Sequence, residues 1–546
     1  MGLQDVTYLT GYDFIVAVTE RAINMGLDQW LGAQEPNIAL YYTKDASGNY
    51  VAADSEADAT IILTGTLAPT LDANRKPIDL ITLFVSAGSR TVQYNLTMTG
   101  GVFQASSGTT YKQTRTDPWI IHFNVDLGLA SIAFNEMPAD VQQTFQDSSL
   151  FSYQQLGADL STAVLDTVEN VDELNLASND GADFAGVIAA YLKQQQGTAQ
   201  MIFGLAACFT ANDQAATPSL YPTSIDFCIS QYSGLDPAGH ALDTLNYLTV
   251  TGGDTLPATP SNGFGFNWVD SLDEMGAVAV RRDLIVSGYL MPPVSSILPL
   301  LSPQPHADAK GDDDKGDIKL LPCSLDRAPV FGLISDSGNL AAQYSYNPSE
   351  AEDKALTKHG YNIVKARYES DCFLYLGADV SGAPNPQDKL SICGNCSFSG
   401  SLGHLLSGGT EDPIISVGKQ IPPTTYSWSA VFQMQADLTK VGQLDFNLVT
   451  PNFNSPPVVN DPNESTWEKI FEGLSGSMKN YVSDISGVGQ AIHSKLSGIV
   501  PNLKGLLIGS SAQVFVFPGS QSFLPSNPQF TPSGDLVANI NYYQAD

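Results

Sequence analysis

The side chains of this 546-residue chain that could do covalent or metal chemistry are few and poorly spaced for it. Cys393 and Cys396 form one CxxC pair, while Cys208, Cys228, Cys323 and Cys372 are scattered. A structural zinc site would need a second such pair or paired histidines, so plain thiols, a local disulfide or a redox pair are the readings left. The histidines His122, His240, His306, His359, His404 and His493 include no pair at helical spacing. Nucleophile elbows, HExxH helices and P-loops are absent, and GFGFNW from Gly263 lacks the third glycine of a dinucleotide loop. Spacing says nothing about a triad gathered from distant positions. No metal, no cofactor and no catalytic residue is expected, and the chain reads as a non-enzyme.

What remains is apolar chemistry, and its strongest pattern lies near the C-terminal end. Trp467, Phe471, Leu474, Met478, Tyr481, Ile485, Val488 and Ile492 recur at alternating spacings of four and three, which places them along one side of a helix over 465–496. Ser465 and Glu468 suit a capping box at its start. Gly473, Gly476, Gly487 and Gly489 weaken this helix by about 1 kcal/mol each. It needs an apolar groove to hold it, and its Gly, Ser and Asn flanks do not suit a coiled coil.

Two stretches supply such a groove. Val92, Tyr94, Leu96 and Met98 alternate with polar residues, as do Ile121, Phe123, Val125, Leu127 and Leu129. Alternation of this kind predicts antiparallel strands with one apolar face and one wet face, His122 falling on the wet one. The candidate ligand-binding residues are therefore Leu474, Met478, Tyr481, Ile485 and Val488 on the helix, facing Tyr94, Leu96, Met98, Phe123 and Val125 on the sheet. Apolar transfer would supply affinity at roughly 25 cal/mol per Å² covered. Ordinary core packing is the competing reading for each of them.

Further elements follow from the pattern. Asp13 is placed to cap a helix running to about Leu31, with Ile15, Val18, Ala22 and Met25 on one side. A second helix is expected over 180–196, with Phe184, Val187, Ile188, Tyr191 and Leu192 as its apolar side, and a short one over 138–145. Strands are expected at 38–43, 59–67, 78–85, 151–165, 201–209, 373–376, 428–434, 444–449, 513–517 and 536–543. The charged run HADAKGDDDKGD over 306–317 reads as a solvated linker, since it lacks the ligand placement of a calcium loop.

Composition narrows the class. Acids outnumber bases 57 to 25, a formal net charge of −32, so the surface repels phosphate backbones and anionic lipid headgroups. A nucleic-acid role is not expected. The apolar neighbourhood 284–301 is broken by Pro292, Pro293 and Pro299, so no transmembrane span is expected. The opening residues lack the pattern of a signal peptide, which implies a cytoplasmic protein or one released without a recognisable signal. Asn95, Asn395 and Asn463 lie in glycosylation-type triplets that read as accidental in that setting.

Five stretches resemble the clostridial P47/OrfX family of the tubular lipid-binding (TULIP) superfamily: GYDFIVAVTERAIN from Gly11, FSYQQLGADLS from Phe151, AYLKQQQGTAQMIFG from Ala190, FNWVDSLDEMGAVAVRRDL from Phe266 and QVFVFPGSQSFLPSNPQFTPSGDLVANINY from Gln513. The resemblance implies an elongated α+β, TULIP-like fold, with long helices wrapped by strongly curved antiparallel β-sheets around an apolar tube. It carries no site residue over position by position. On this basis residues 1–300 are expected to form an N-terminal lobe, 301–320 a charged linker or loop, and 321–546 a C-terminal lobe that completes the same elongated fold. The implied function is a soluble binding protein for a lipid or other apolar ligand, with membership of a toxin complex suggested by relatives. An assembly protein acting by protein contacts, with no ligand, is the alternative.

Overall fold

The computed structural model describes the chain from residue 9 to residue 542, except for stretches that include 35–36, 68–80, 84–89, 138–141, 143–150, 196–201, 210–221, 235–239, 292–303, 310–315, 322–331, 347–355, 378–387, 406–414, 438–442, 455–514 and 517–522. Among the described residues the fold is β-rich with few helices. The helix expected over 465–496 and the short one over 138–145 lie outside the described residues, residue 142 excepted. The helices that are described are short, so the expectation of long helices is not met among them.

One sheet has the strand order β11 (Ser224–Ser230), β12 (Thr244–Val250), β1 (Phe14–Thr19), β13 (Gly276–Val280), β25 (Leu536–Tyr542) and β24 (Phe523–Phe530), all antiparallel. Every residue of β1, β12 and β13 is buried. Phe14, Val16 and Val18 enter the main core, while Ile15 and Ala17 enter a second core with Tyr12, Phe266 and Trp268. This corrects the helix expected from Asp13. In FIVAVT both faces are covered, so all positions but the last are apolar and a helical spacing can be picked out of them by accident. The helix α1 (Glu20–Gln34) starts only afterwards, with the Thr19 hydroxyl accepting from the Ala22 amide at 3.1 Å. Asp13 instead accepts from the Thr251 amide and hydroxyl at 2.6 and 2.7 Å, and pairs with Arg281 at 2.8 Å.

A second, ten-stranded sheet runs β23 (Phe515–Val516), β10 (Ile202–Phe209), β9 (Phe151–Glu169), β8 (Trp119–Ile132), β6 (Thr91–Gln104), β4 (Ile61–Leu67), β2 (Asn37–Lys44) and β3 (Tyr50–Ala52), with β5 (Ile81–Leu83) and β7 (Thr110–Lys112) also paired to β6. The helix α2 (Asn179–Gln195) touches β9 and also β2, β3 and β4. In a flat sheet β9 and β2 would lie about 19 Å apart at ~4.8 Å per strand, more than the roughly 10–12 Å width of a helix. The sheet therefore curls round α2 as a half-barrel. Register shifts at Gly65 and within the β8–β9 pair mark where its strands bend.

Buried polar groups on α1 complete this sheet from inside. The Asn24 carboxamide donates to the Ile81 carbonyl at 2.7 Å and accepts from the Ile81 amide at 2.8 Å, and the Glu20 carboxylate accepts from the Leu83 amide at 2.7 Å. Spaced four apart, these side chains stand in for a neighbouring strand along β5.

A third sheet, β16 (Gly332–Leu333), β17 (Leu340–Tyr346), β19 (Tyr361–Leu376), β20 (Lys389–Leu405), β21 (Ile415–Asp437) and β22 (Gln443–Asn454), has β18 (Leu356–Lys358) paired to β19. The CxxC lies within β20, and Cys393 there is a free thiol. The charged run 306–317, expected as a linker, instead contributes its two ends to a hairpin of β14 (Gln304–Ala309) and β15 (Gly316–Leu321), with Asp308 opposite Asp317.

Candidate functional site

The concave face of the ten-stranded sheet collects the apolar side chains that its alternating strands point one way. On β6, Tyr94, Leu96 and Met98 are buried, and on β8 Phe123 lies opposite Tyr94 and Trp119 opposite Met98. Val125 lies opposite Val92. Gly65 and Gly101 leave the room that the Met98 and Trp119 side chains occupy, since a Cβ at either glycine would collide with them. Phe184, Val187, Ile188, Tyr191 and Leu192 on α2 pack into the same core, with Ala22, Ile23 and Leu27 on α1. The Phe184 ring stands edge-on to Phe103 at 5.0 Å and to Trp119 at 6.4 Å.

One end of this core is fastened by charge. Asp183, just past the first turn of α2, accepts from the Ser106 amide at 2.9 Å and hydroxyl at 2.5 Å, from Tyr50 at 3.2 Å, and from Lys44 at 2.5 Å. The Tyr50 ring lies over Gly186, where a Cβ would strike it, and its hydroxyl also donates to the Ala182 carbonyl at 2.9 Å. Tyr111 donates to Asp180 at 2.9 Å. Burial pushes the Asp183 carboxyl up, but hydrogen bonds from Lys44 and Ser106 outweigh it and leave the group below its ordinary value. The hydrogen bond to Asp183 also raises Lys44. A stably charged Lys44 beside a stably ionised Asp183 gives Ser106 no base, so the cluster is a clamp rather than a nucleophile.

The sign of that shift sets a pH dependence. A carboxyl lowered by folding contributes stability above its ordinary value of 3.8 and loses it as pH falls through the lower folded value. Asp183→Asn should therefore unfold at lower temperature than wild type at about pH 5–7, with the gap narrowing once pH drops below 3.8. Melting temperature against pH for both proteins checks this, and a constant gap would contradict it.

On the outer face, Asn95 is buried and its side-chain oxygen meets His122 Nδ1 at 2.7 Å, while His122 Nε2 lies 3.3 Å from Glu169. Asn95 is thus a structural side chain, not an exposed glycan acceptor. Cys208, Cys228 and Cys372 are buried thiols, and burial pushes Cys208 and Cys228 up to about 12, which keeps them protonated.

The structure brings Tyr94, Leu96, Met98, Phe123 and Val125 together on one core. Leu474, Met478, Tyr481, Ile485 and Val488 lie outside the described residues. Helix α2 was predicted as an amphipathic element but not as part of the site, although its apolar side faces the same strands. The signal available was its position between two long strands, which obliges the sheet to receive it.

No family model matches the chain, and no curated protein does. Among solved structures it is similar to P47 of Clostridium botulinum E1, at 11% identity and a TM-score of 0.45, over 98% of this chain and 100% of that one. It is similar to P47 from Clostridium botulinum A2 at 12% identity and a TM-score of 0.44, over 98% of each chain. A lipopolysaccharide binding protein follows at 9% identity and a TM-score of 0.32, over 97% of this chain and 99% of that one. The first two are P47 proteins, the group whose motifs the sequence resembles. Among the described residues no helix is long and apolar enough to cross a membrane.

Proposed function

We propose that this protein binds a lipid or another apolar small molecule against the concave face of its ten-stranded sheet, and that it works as a carrier or sequestering protein rather than an enzyme. One observation carries the reading: the face curled round α2 is apolar from β2 to β8, while the polar groups at its end are spent on fastening the helix. Apolar transfer supplies affinity for such a ligand without any reactive group. Tyr94, Leu96, Met98, Phe123 and Val125 form the sheet side of the site in this proposal. Leu474, Met478, Tyr481, Ile485 and Val488 of 465–496 form the opposing wall. The division into 1–300, 301–320 and 321–546, and an accessory place in a toxin complex, belong to the same proposal.

Native mass spectrometry of the delipidated protein after exposure to monooleoylglycerol and to a mixed phospholipid extract tests it. The expected result is a stable adduct of one or a few lipid molecules per chain. A protein that stays at its apo mass at every lipid concentration would overturn the reading and favour a role by protein contacts alone.

A further inference from the structure

The second core of the six-stranded sheet collects Tyr12, Ile15, Ala17, Cys228, Leu248 and Val250. Residues 254–260, which follow β12, lie against it: Leu256 packs on this core, and a Cβ at Gly11 would press on Pro257. The segment is neither helix nor strand, and among the described residues no backbone–backbone hydrogen bond joins it to the sheet. Side chains hold it instead. The Tyr12 hydroxyl donates to the Pro257 and Ala258 carbonyls at 3.4 and 3.3 Å, both long, and the Thr259 hydroxyl donates to the Asp226 carboxylate. Left-handed glycines stand at either end, Gly252 and Gly253 at φ +66° and +80° and Gly263 at φ +68°.

Asp226, Cys228 and Ser230 are spaced two apart on β11 and so share a face. Thr259 is bonded to the first of them, and the Phe264 amide donates to the hydroxyl of the last at 3.0 Å. The two ties fall on either side of Cys228, which is 5% exposed. Asp226 has a second partner in Arg90, whose guanidinium donates to it at 3.0 Å and lies over the Phe227 ring at 4.4 Å. Arg90 immediately precedes β6, and its carbonyl accepts from the Leu127 amide of β8 at 2.7 Å. The carboxylate that holds the segment therefore also reaches the ten-stranded sheet.

We propose that residues 254–260 form a hinged lid over the second core, that Asp226 is its latch, and that Arg90 ties the latch to the start of β6. The lid opens while the sheets stay folded, and opening uncovers Tyr12 and Cys228. A segment without ladder bonds belongs to the least stable parts of a fold, and a charged acceptor makes the strongest of its side-chain ties. This goes beyond the ligand-binding reading and does not depend on it.

Maleimide labelling of the full-length protein, read cysteine by cysteine by peptide mass spectrometry, tests the lid. Cys208 in β10 and Cys372 in β19 are 3% and 2% exposed and report on global unfolding. In wild type Cys228 should be labelled about tenfold or more faster than either, at a rate that hardly changes with low concentrations of urea, the mark of local opening. Asp226→Asn should speed Cys228 about tenfold further, and Arg90→Gln by a smaller factor, with Cys208 and Cys372 unchanged. Thr259→Val removes the tie without altering the charge beside the thiol, and should also speed Cys228 alone. Equal labelling of the three cysteines in wild type, with a common dependence on urea, would overturn the lid. A Cys228 rate that is unchanged in Asp226→Asn and Thr259→Val, or that rises only together with the other two, would overturn the latch. An unchanged rate in Arg90→Gln would overturn the tie to β6.

Discussion

Arg282→Ala should destabilise the protein by about 3–5 kcal/mol. Arg282 lies two residues after β13 and is 5% exposed, a buried cation. Its guanidinium donates to the Ile334 carbonyl at 2.6 Å and to the Leu340 carbonyl, both at the β16–β17 hairpin of the third sheet. Its backbone amide donates to the Asp535 carboxylate at 2.8 Å, in the turn between β24 and β25. Gly534 in that turn has φ +87°, a left-handed conformation open to glycine, and it lies against the Arg282 side chain. One side chain thus joins the third sheet to the six-stranded sheet. Alanine would remove a charged donor shared by two partly buried carbonyls and take away the positive charge that helps to hold Asp535, whose carboxyl burial already pushes up. Denaturant unfolding followed by a probe in each sheet measures the effect, and Arg282→Lys should recover little of it, because a single ammonium cannot replace the planar fork. A loss below about 1 kcal/mol would show that the sheets are held together by other contacts.

Phe184→Ala should cost about 3–5 kcal/mol. The ring is fully buried between Phe103 and Trp119, in the first turns of α2, where the helix meets the bottom of the curled sheet. Removing it opens a cavity that the neighbouring Asp183 clamp prevents from collapsing, because Lys44, Tyr50 and Ser106 fix the helix end. The same change tests how the site is built. If α2 is a wall of the site, the cavity admits a bulkier acyl chain, and lipid should restore part of the lost melting temperature by mass action. Calorimetry with and without monooleoylglycerol checks both parts, and a loss under about 1 kcal/mol would contradict the packing described.

What could be read from the residues depended on which faces were covered. Strands β6 and β8 were legible because one face is apolar and the other polar, and α2 because its apolar residues keep a helical period. Strand β1 was not, because a strand buried on both sides has no alternation to show. Asn24 and Glu20 gave no sign of their role in the sequence: polar residues on a helix usually face solvent, yet here they are buried and pair with β5. Of β21 only 428–434 was expected, and the strand runs on through Pro422 and Pro423, residues that seldom sit inside a sheet. The register with β20 shifts between Phe398 and Gly400 at that point, so a bulge takes up the prolines. The sheet half of the candidate site was therefore visible in the sequence. The contribution of α2 was missed because period reveals a helix face but not its partner.

The claim that a ligand lies within the curled sheet is tested most directly by photo-crosslinking. Delipidated protein is loaded with a monoacylglycerol that carries a diazirine near the end of its acyl chain, irradiated, and mapped by peptide mass spectrometry. Crosslinks on the inward residues of β6, β8 and α2, lost on competition with unlabelled lipid, are the predicted result. Crosslinks confined to outward positions such as Val164 or Val51, or none above a detergent control, would contradict it.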